Sequence, residues 1–371
     1  MSAGGLDDAA RLAWLRLART PSVGPVTFFE LLKRHASAQA ALDALPELSR
    51  RAGRKKPLKP PPPELAEQEL EATRAIGADI MTVRDLDYPP LLQALSPPPP
   101  VLSMRGQFAL AAGPALAIVG ARNASAAGRK LAREIAAGIG AAGHVVVSGL
   151  ARGIDGEAHA ASLATGTVAV LGGGIDHVYP PQHAELYEAI ANQGLIVSES
   201  PLGHQATARD FPRRNRIITG CALGLVVVEA SERSGSLISA RTAGEQGREV
   251  MAVPGSPLDP RAAGTNRLLR DGAALVRNST DVLEALSRLP RPHVGAPPPP
   301  QFEDDPADTP LPAAQRQAVL EALSPHPMPI DEIARAAGVG APRCAAILAE
   351  LELSGEAHTL PGGLAARSVD S

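Results

Sequence analysis

Residues 144–174 read HVVVSGLARGIDGEAHAASLATGTVAVLGGG. An apolar run at His144–Val147 ends in Ser148-Gly149, a helical stretch opens at Gly153, and a second apolar run at Val168–Leu171 ends in three glycines. Short strands that are apolar on both faces, joined by a helix, fit a parallel sheet covered on both sides. The alternation continues outward, with strands expected at Leu116–Val119, Leu195–Val197, Leu225–Val228, Val250–Val253 and Ala274–Val276. The centre of the chain, residues 115–277, therefore reads as α/β, with a Rossmann-like doubly wound parallel sheet.

Proline marks the edges of this block, at 57–63 (PLKPPPP), 97–100 and 290–312. Before it, residues 9–45 have helical spacing around a Pro-Ser-Val-Gly-Pro turn at 21–25, and Glu64 to Ile76 reads as a further helix. The turn resembles a helix-hairpin-helix element that touches DNA phosphate through backbone N–H groups, although a plain helical module fits equally well. After it, residues 330–337, the turn Gly338-Val339-Gly340 and residues 342–353 have helix-turn-helix spacing, and Gly355 with Pro361-Gly362-Gly363 bounds a wing. The expected organisation is a SAM or helix-hairpin-helix-like module with a basic Pro-rich linker (1–76), the Rossmann-like domain (77–289), an acidic Pro-rich linker (290–312) and a winged-helix-like domain (313–371). That last domain carries four basic and seven acidic side chains, a poor footprint for a groove reader. It is expected to be auxiliary, held away from DNA by its tether.

The 371 residues are 44% apolar with net charge −3, which suits two or three soluble domains and excludes a uniformly basic coat but not a local basic patch. Cys221 and Cys344 lie far apart without metal-ligand spacing, so neither a disulfide framework nor a structural zinc site is expected. The N-terminus MSAGGLDDAA lacks a signal-peptide pattern, and no apolar run approaches the roughly 20 residues of a membrane span. A cytoplasmic protein without membrane contact is expected.

Ligands of open parallel sheets bind beyond the carboxyl ends of the strands. Here those ends carry Gly120, Ser148-Gly149, Gly172-Gly173-Gly174, Ser234-Gly235-Ser236 and Pro254-Gly255-Ser256. Several such loops leaving N–H groups open along one edge would make an anion site. The first loop, Gly120-Ala121-Arg122-Asn123-Ala124-Ser125, is not GxGxxG, no acidic residue ends the second strand, and no Walker motif occurs. Phosphate binding without a nucleotide cofactor remains. Residues 209–216 (RDFPRRNR) supply guanidinium forks at Arg209, Arg213, Arg214 and Arg216, with Phe211 to stack a base and Asn215 between them. Set against a merely solvated charge run, the nucleic-acid reading is preferred. Asp155 and His159 stand four apart on a helix, but no third metal ligand is evident and Asp155 fits an N-cap equally well. Glu229 and Glu245 flank Ser-Gly-Ser as carboxylates do in Rossmann-like nucleotide hydrolases, which keeps a phosphoribohydrolase-type enzyme as the alternative.

Taken together these motifs resemble the DNA-processing protein A (DprA/Smf) family. The resemblance runs from Asp87-Tyr88-Pro89 through AIVGAR (117–122), SGLARGIDGEAH (148–159), AVLGGGIDHVYP (169–180), SESP (198–201) and FPRRNRIITG (211–220). It ends with SGSLISARTAGEQGREVMAVPG (234–255) and GTNRLLRDGA (264–273). It implies a homodimer that binds and protects incoming single-stranded DNA and helps load the RecA recombinase during natural transformation, with single-strand-binding protein as competitor. It implies no catalysis and no cofactor. On this reading Gly120, Arg122, Ser125, Ser148, Gly149, Gly172–Gly174, Arg209, Phe211, Arg213–Arg216 and Ser234–Ser236 contact the strand, and Arg122 and Arg216 should both be removable without loss of stability.

Overall fold

The computed structural model describes residues 6–289, 312–360 and 363–368. Four helices come first: α1 (Asp8–Ala18), α2 (Pro25–Arg34), α3 (Ala38–Arg51) and α4 (Pro63–Ala75). Asp7 and Ser37 cap α1 and α3 by accepting from the Ala10 and Ala40 N–H groups, each three residues on. Helix α2 has no side-chain cap; Gly24 precedes Pro25, whose fixed φ suits a first helical position. The rings of Trp14, Phe28 and Phe29 meet edge to face at 5.1 and 5.3 Å, so three of the chain's nine aromatics are spent on this small core.

The central sheet has nine strands: β1 (Ala78–Thr82), β2 (Val101–Gly106), β3 (Ala115–Val119), β4 (Val145–Ser148), β5 (Thr167–Leu171), β6 (Leu195–Ser198), β7 (Gly224–Val227), β8 (Glu249–Ala252) and β9 (Ala274–Leu275). Their order is β1-β2-β6-β5-β4-β3-β7-β8-β9. The seven strands from β6 to β9 are mutually parallel and are those expected from the sequence. The antiparallel pair β1 and β2, added at the β6 edge, was not expected. Its first strand alternates buried and more exposed positions, and its second emerges directly from the 97–100 prolines, so neither repeats the apolar signature of the others.

Helices α5 (Pro90–Gln93), α6 (Ala126–Ala141), α7 (Ile154–Ser162), α8 (Ala184–Gln193), α9 (Asp210–Gly220), α10 (Gly235–Glu245), α11 (Ala263–Arg270) and α12 (Ser279–Ser287) connect or follow the strands. Alternate strand residues enter two separate cores. Ala117, Val147 and Val227 join one, while Ile118, Val146 and Val226 join the other, as a doubly covered sheet requires. After β3 the chain moves to β4 on one side; after β7 it moves to β8 on the other. The crevice beyond β3 and β7 is therefore the topological switch point.

The C-terminal module holds α13 (Ala313–Ala322), β10 (Met328–Pro329), α14 (Ile330–Ala336), α15 (Ala341–Ser354), β11 (Ala357–Leu360) and β12 (Leu364–Arg367). Three helices with a three-stranded sheet form a winged helix, and Gly355 at φ +86° closes α15 in the left-handed conformation. Residues 290–311 of the acidic linker lie outside the described residues. The module beyond it packs on the first: Leu353 enters the same core as Phe28, Leu31 and Leu42, where α15 meets α2 and α3. Among the described residues no helix is long and apolar enough to cross a membrane.

Candidate nucleic-acid interface

Several loops at the carboxyl edge do not have the open N–H groups expected of them. Ser125 caps α6, and both its N–H and its hydroxyl donate to the Glu229 carboxylate, at 2.9 and 2.5 Å. Gly149 N–H donates to Asp155 Oδ2 at 3.2 Å, and Gly174 N–H to the His204 carbonyl at 2.8 Å. The Ser148 hydroxyl is buried and donates to the Ile118 carbonyl at 2.6 Å. A helix or loop end enclosed by neighbouring elements must be satisfied from within, and a carboxylate at a helix N-terminus does this most strongly. Glu229 and Asp155 thus sit where phosphates were anticipated, and Ser125, Ser148, Gly149 and Gly174 form the frame of the site.

Asp155 and His159 belong to the same frame. His159 is fully buried; its Nε2 accepts from Leu150 N–H at 3.3 Å, which leaves Nδ1 to donate to Thr167 Oγ1 at 2.7 Å. Burial, with His183 and Arg214 nearby, pushes the imidazole down to about 3, so it is neutral at ordinary pH. Glu245, the other carboxylate of the hydrolase reading, pairs with Arg241 along α10 at 2.8 Å.

The arginines of RDFPRRNR divide into two pairs. Arg214 is buried and donates to the Val170 carbonyl at 2.9 Å, passing so close to Gly149 that a Cβ there would lie 1.8 Å from Nη1. Burial brings its guanidinium down to about 10, still charged at neutral pH. Arg216 is 3% exposed and meets Glu199 Oε1 at 2.5 Å. Burial alone would raise the Glu199 carboxyl, but Arg216 and Arg213 outweigh it and the net position is below the ordinary range. Arg216 is therefore a buried ion-pair partner, and the expectation that it is removable without cost is corrected. Arg209 and Arg213 face outward, Arg213 also reaching Glu199 at 3.3 Å.

Phe211, in the first turn of α9, is the centre of the exposed site. The Arg122 guanidinium lies 4.9 Å from its ring centroid and that of Arg214 5.9 Å, while the Tyr179 ring stands 5.8 Å away. Gly172 lies beside the Phe211 ring, where a Cβ would meet it in ordinary van der Waals contact at 3.6 Å. Gly173 is packed more tightly, 2.8 Å from the His204 carbonyl by the same measure. Beside the ring opens a cleft of about 540 Å³ lined by Gly120, Arg122, Asn215, Ser234, Gly235 and Ser236, among others. The Ser234 and Ser236 hydroxyls are 2.6 Å apart at the start of α10, which faces this cleft. On the far side of Arg122 a second cleft, of about 730 Å³, adds Arg129 and Arg152. Arg122, Arg129, Arg152, Arg209 and Arg233 are exposed and make no ion pair among the described residues. Sequence reasoning overlooked Arg129 and Arg152, though Arg152 stands four residues after β4, at the edge where ligands of such sheets bind.

Residues 79–287 match the family model described as DNA recombination-mediator protein A, residues 8–72 a DprA-like N-terminal HHH domain, and residues 297–363 a DprA winged helix domain. Protein Smf of Escherichia coli is 39% identical over 283 residues, 74% of each chain. The DNA processing protein DprA of Bacillus subtilis is 41% identical over 220 residues, 58% of this chain and 74% of that one. The crystal structure of DprA from Streptococcus pneumoniae superposes with a TM-score of 0.62 at 33% identity, over 74% of this chain and 96% of the other. A structure of DNA processing protein A from Helicobacter pylori, described for its single-stranded DNA binding mode, gives 0.52 at 27% identity, over 56% and 95%.

Proposed function

Because the chain belongs to the DNA recombination-mediator protein A (DprA/Smf) family, we propose that it binds single-stranded DNA along the carboxyl edge of its parallel sheet. The observation that carries this reading is the partly exposed Phe211 ring, flanked by the Arg122 and Arg214 guanidiniums, with Arg122, Arg152 and Arg209 exposed and making no ion pair among the described residues. An aromatic face stacks an unpaired base, and cations around it take the phosphates on either side. With Tyr179 as the one neighbouring ring among the described residues, phosphate contacts dominate and base preference is small.

Within this reading, Arg122, Arg152, Arg209 and Arg213 contact phosphates, Phe211 and Tyr179 stack, and Gly120, Gly172, Asn215 and Ser234–Ser236 shape the channel. Arg214 and Arg216 act from beneath by fixing α9. Glu229 is occupied with the α6 N-terminus, which counts against the hydrolase alternative. Anisotropy of a labelled oligothymidylate, titrated at several salt concentrations against a duplex of equal length, tests this. Tighter single-strand binding with a linear fall of log K against log[salt] supports it; release of free base from nucleoside monophosphates would favour the hydrolase reading.

Family membership extends the proposal to a homodimer that protects incoming strands and hands them to RecA in competition with single-strand-binding protein. Strand-dependent ATP hydrolysis by RecA on DNA coated with single-strand-binding protein, with and without this protein, checks that step.

A further inference from the structure

Two side chains on the wall of the cleft beside Phe211 are polar, nearly buried and bare. Asn215 of α9 is 9% exposed and Ser239 of α10 is 2% exposed, and both line the cleft of about 540 Å³. Neither the Asn215 carboxamide nor the Ser239 hydroxyl makes a hydrogen bond among the described residues. Their neighbours on the same wall are satisfied: the Ser234 and Ser236 hydroxyls meet at 2.6 Å, and Arg214 donates to the Val170 carbonyl. Polar groups buried this far are as a rule hydrogen-bonded, and leaving one bare costs more than such a bond gains. The cleft is many times the roughly 30 Å³ share of one water, so it has room for a ligand that meets both groups.

The charges around the cleft narrow the chemistry of that ligand. Among the described residues, the acid on its wall is Asp155, 5% exposed. The guanidiniums are those of Arg122, which is exposed, Arg214, held by Val170, and Arg261, paired with Asp259 at 2.9 Å. A phosphate drawn inside would face the Asp155 carboxylate, whereas Arg122 offers it a place outside. Val119, Ala121, Ala151 and Ile218 add apolar surface. A flat, neutral ring with hydrogen-bonding edges fits these walls. The Asn215 carboxamide donates through Nδ2 and accepts through Oδ1, which matches the donor–acceptor pair on the edge of a nucleobase. Phe211 also lines the cleft and supplies a face for stacking. In a single strand no base pair has to be broken to turn a base inward.

We propose that this cleft takes in one base of the bound strand, turned out of the stack, with the Asn215 carboxamide on its pairing edge and the Ser239 hydroxyl as a second contact. The proposal rests on the single-strand reading above and adds one base-edge subsite to it. A carboxamide can present its donor and acceptor in either order, so every base is admitted and the preference among them stays small. The test uses anisotropy with the full-length protein and an oligothymidylate of about six nucleotides. Its comparison strand is the same length of N3-methylthymidine, which keeps the phosphates and ring faces but lacks the N3–H. Wild type is expected to bind the methylated strand about tenfold more weakly, the fold-change for losing one two-point edge contact. Asn215→Ala should weaken oligothymidylate binding by a similar factor and bind both strands alike. Its salt slope should stay that of wild type, because the phosphates remain on the arginines. Ser239→Val, which narrows the cleft from α10, serves if the first variant folds poorly and should likewise erase the difference between strands. Equal binding of the two strands by wild type overturns the proposal, as does a methylation penalty that persists in Asn215→Ala. Thymidine monophosphate at millimolar concentration should not displace the strand. Displacement that disappears in Asn215→Ala would assign the cleft to a free nucleotide and overturn the proposal as stated for a strand. Failure of both strands to bind would remove the single-strand reading itself.

Discussion

Replacing Arg122 and Arg216 by alanine should give opposite phenotypes, although both belong to sequence motifs that read as phosphate binders. Arg122 is exposed, makes no ion pair among the described residues, and lies 4.9 Å from the Phe211 ring centroid. An exposed cation–π contact is worth about 0.5–1 kcal/mol, so Arg122→Ala should move Tm by no more than about 3 °C. Losing a charge-assisted phosphate contact of about 1.5 kcal/mol should weaken strand binding about tenfold and flatten the salt slope by about 0.7. Arg216→Ala instead strands the buried Glu199 carboxylate, leaving Arg213, half exposed, as its remaining ion-pair partner. Breaking such a pair costs about 3–5 kcal/mol, and the surviving Arg213 places this case near the lower figure, a fall in Tm on the order of 10 °C. Thermal unfolding and strand anisotropy on the same preparations separate the two effects. An Arg216→Ala protein that melts like wild type but has lost binding would refute the division between frame and surface.

Three further outcomes follow from the same geometry. His159 is neutral and pushed down to about 3 in the fold, so below pH 6.5 the unfolded chain takes up a proton that the native one refuses. Stability should fall as pH drops through that window, by about 2 kcal/mol between pH 6.5 and 5 from this group; urea unfolding of His159→Gln at both pH values should show a correspondingly smaller loss, and an equal loss sinks the assignment. Phe211→Ala should cost about 1–3 kcal/mol of strand affinity with Phe211→Tyr restoring most of it, whereas a purely ionic interface would leave both variants near wild type. A chain ended after Leu289 should retain its affinity for a six-nucleotide strand, and loss of that affinity in a folded truncation would move the main site to the winged helix.

The parallel sheet was legible because its strands read as short apolar runs, and those of β3, β4, β5 and β6 lead directly into glycine or serine. The edge pair β1 and β2 was not, since a strand covered on one side alternates and the prolines before Val101 mask its start. The site was legible in kind and only partly in detail. Glycine-rich loops announce that something anionic sits at helix starts, but composition does not distinguish a phosphate from Glu229 or Asp155. Nor does an arginine run reveal its helical phase. On α9 that phase sends Arg214 and Arg216 inward and Arg213 outward, and it depends on Val170 of β5 and Glu199 just past β6 meeting them there. The docking of α15 on α2 was hidden for a similar reason: the acidic count of the last domain argued against DNA, while one of those acids, Glu352, is spent on Thr27 of the first domain.

The most direct test of the central claim is photocrosslinking of a short 5-iodouracil single strand to the full-length protein, followed by peptide mapping. Halogenated bases couple to the aromatic side chains on which they stack, and two such rings, Phe211 and Tyr179, meet at the carboxyl edge of the sheet. Crosslinks are expected at Phe211 and Tyr179, suppressed as salt is raised. Crosslinks confined to Trp14, Phe28 or the winged helix, with none at Phe211, would contradict it.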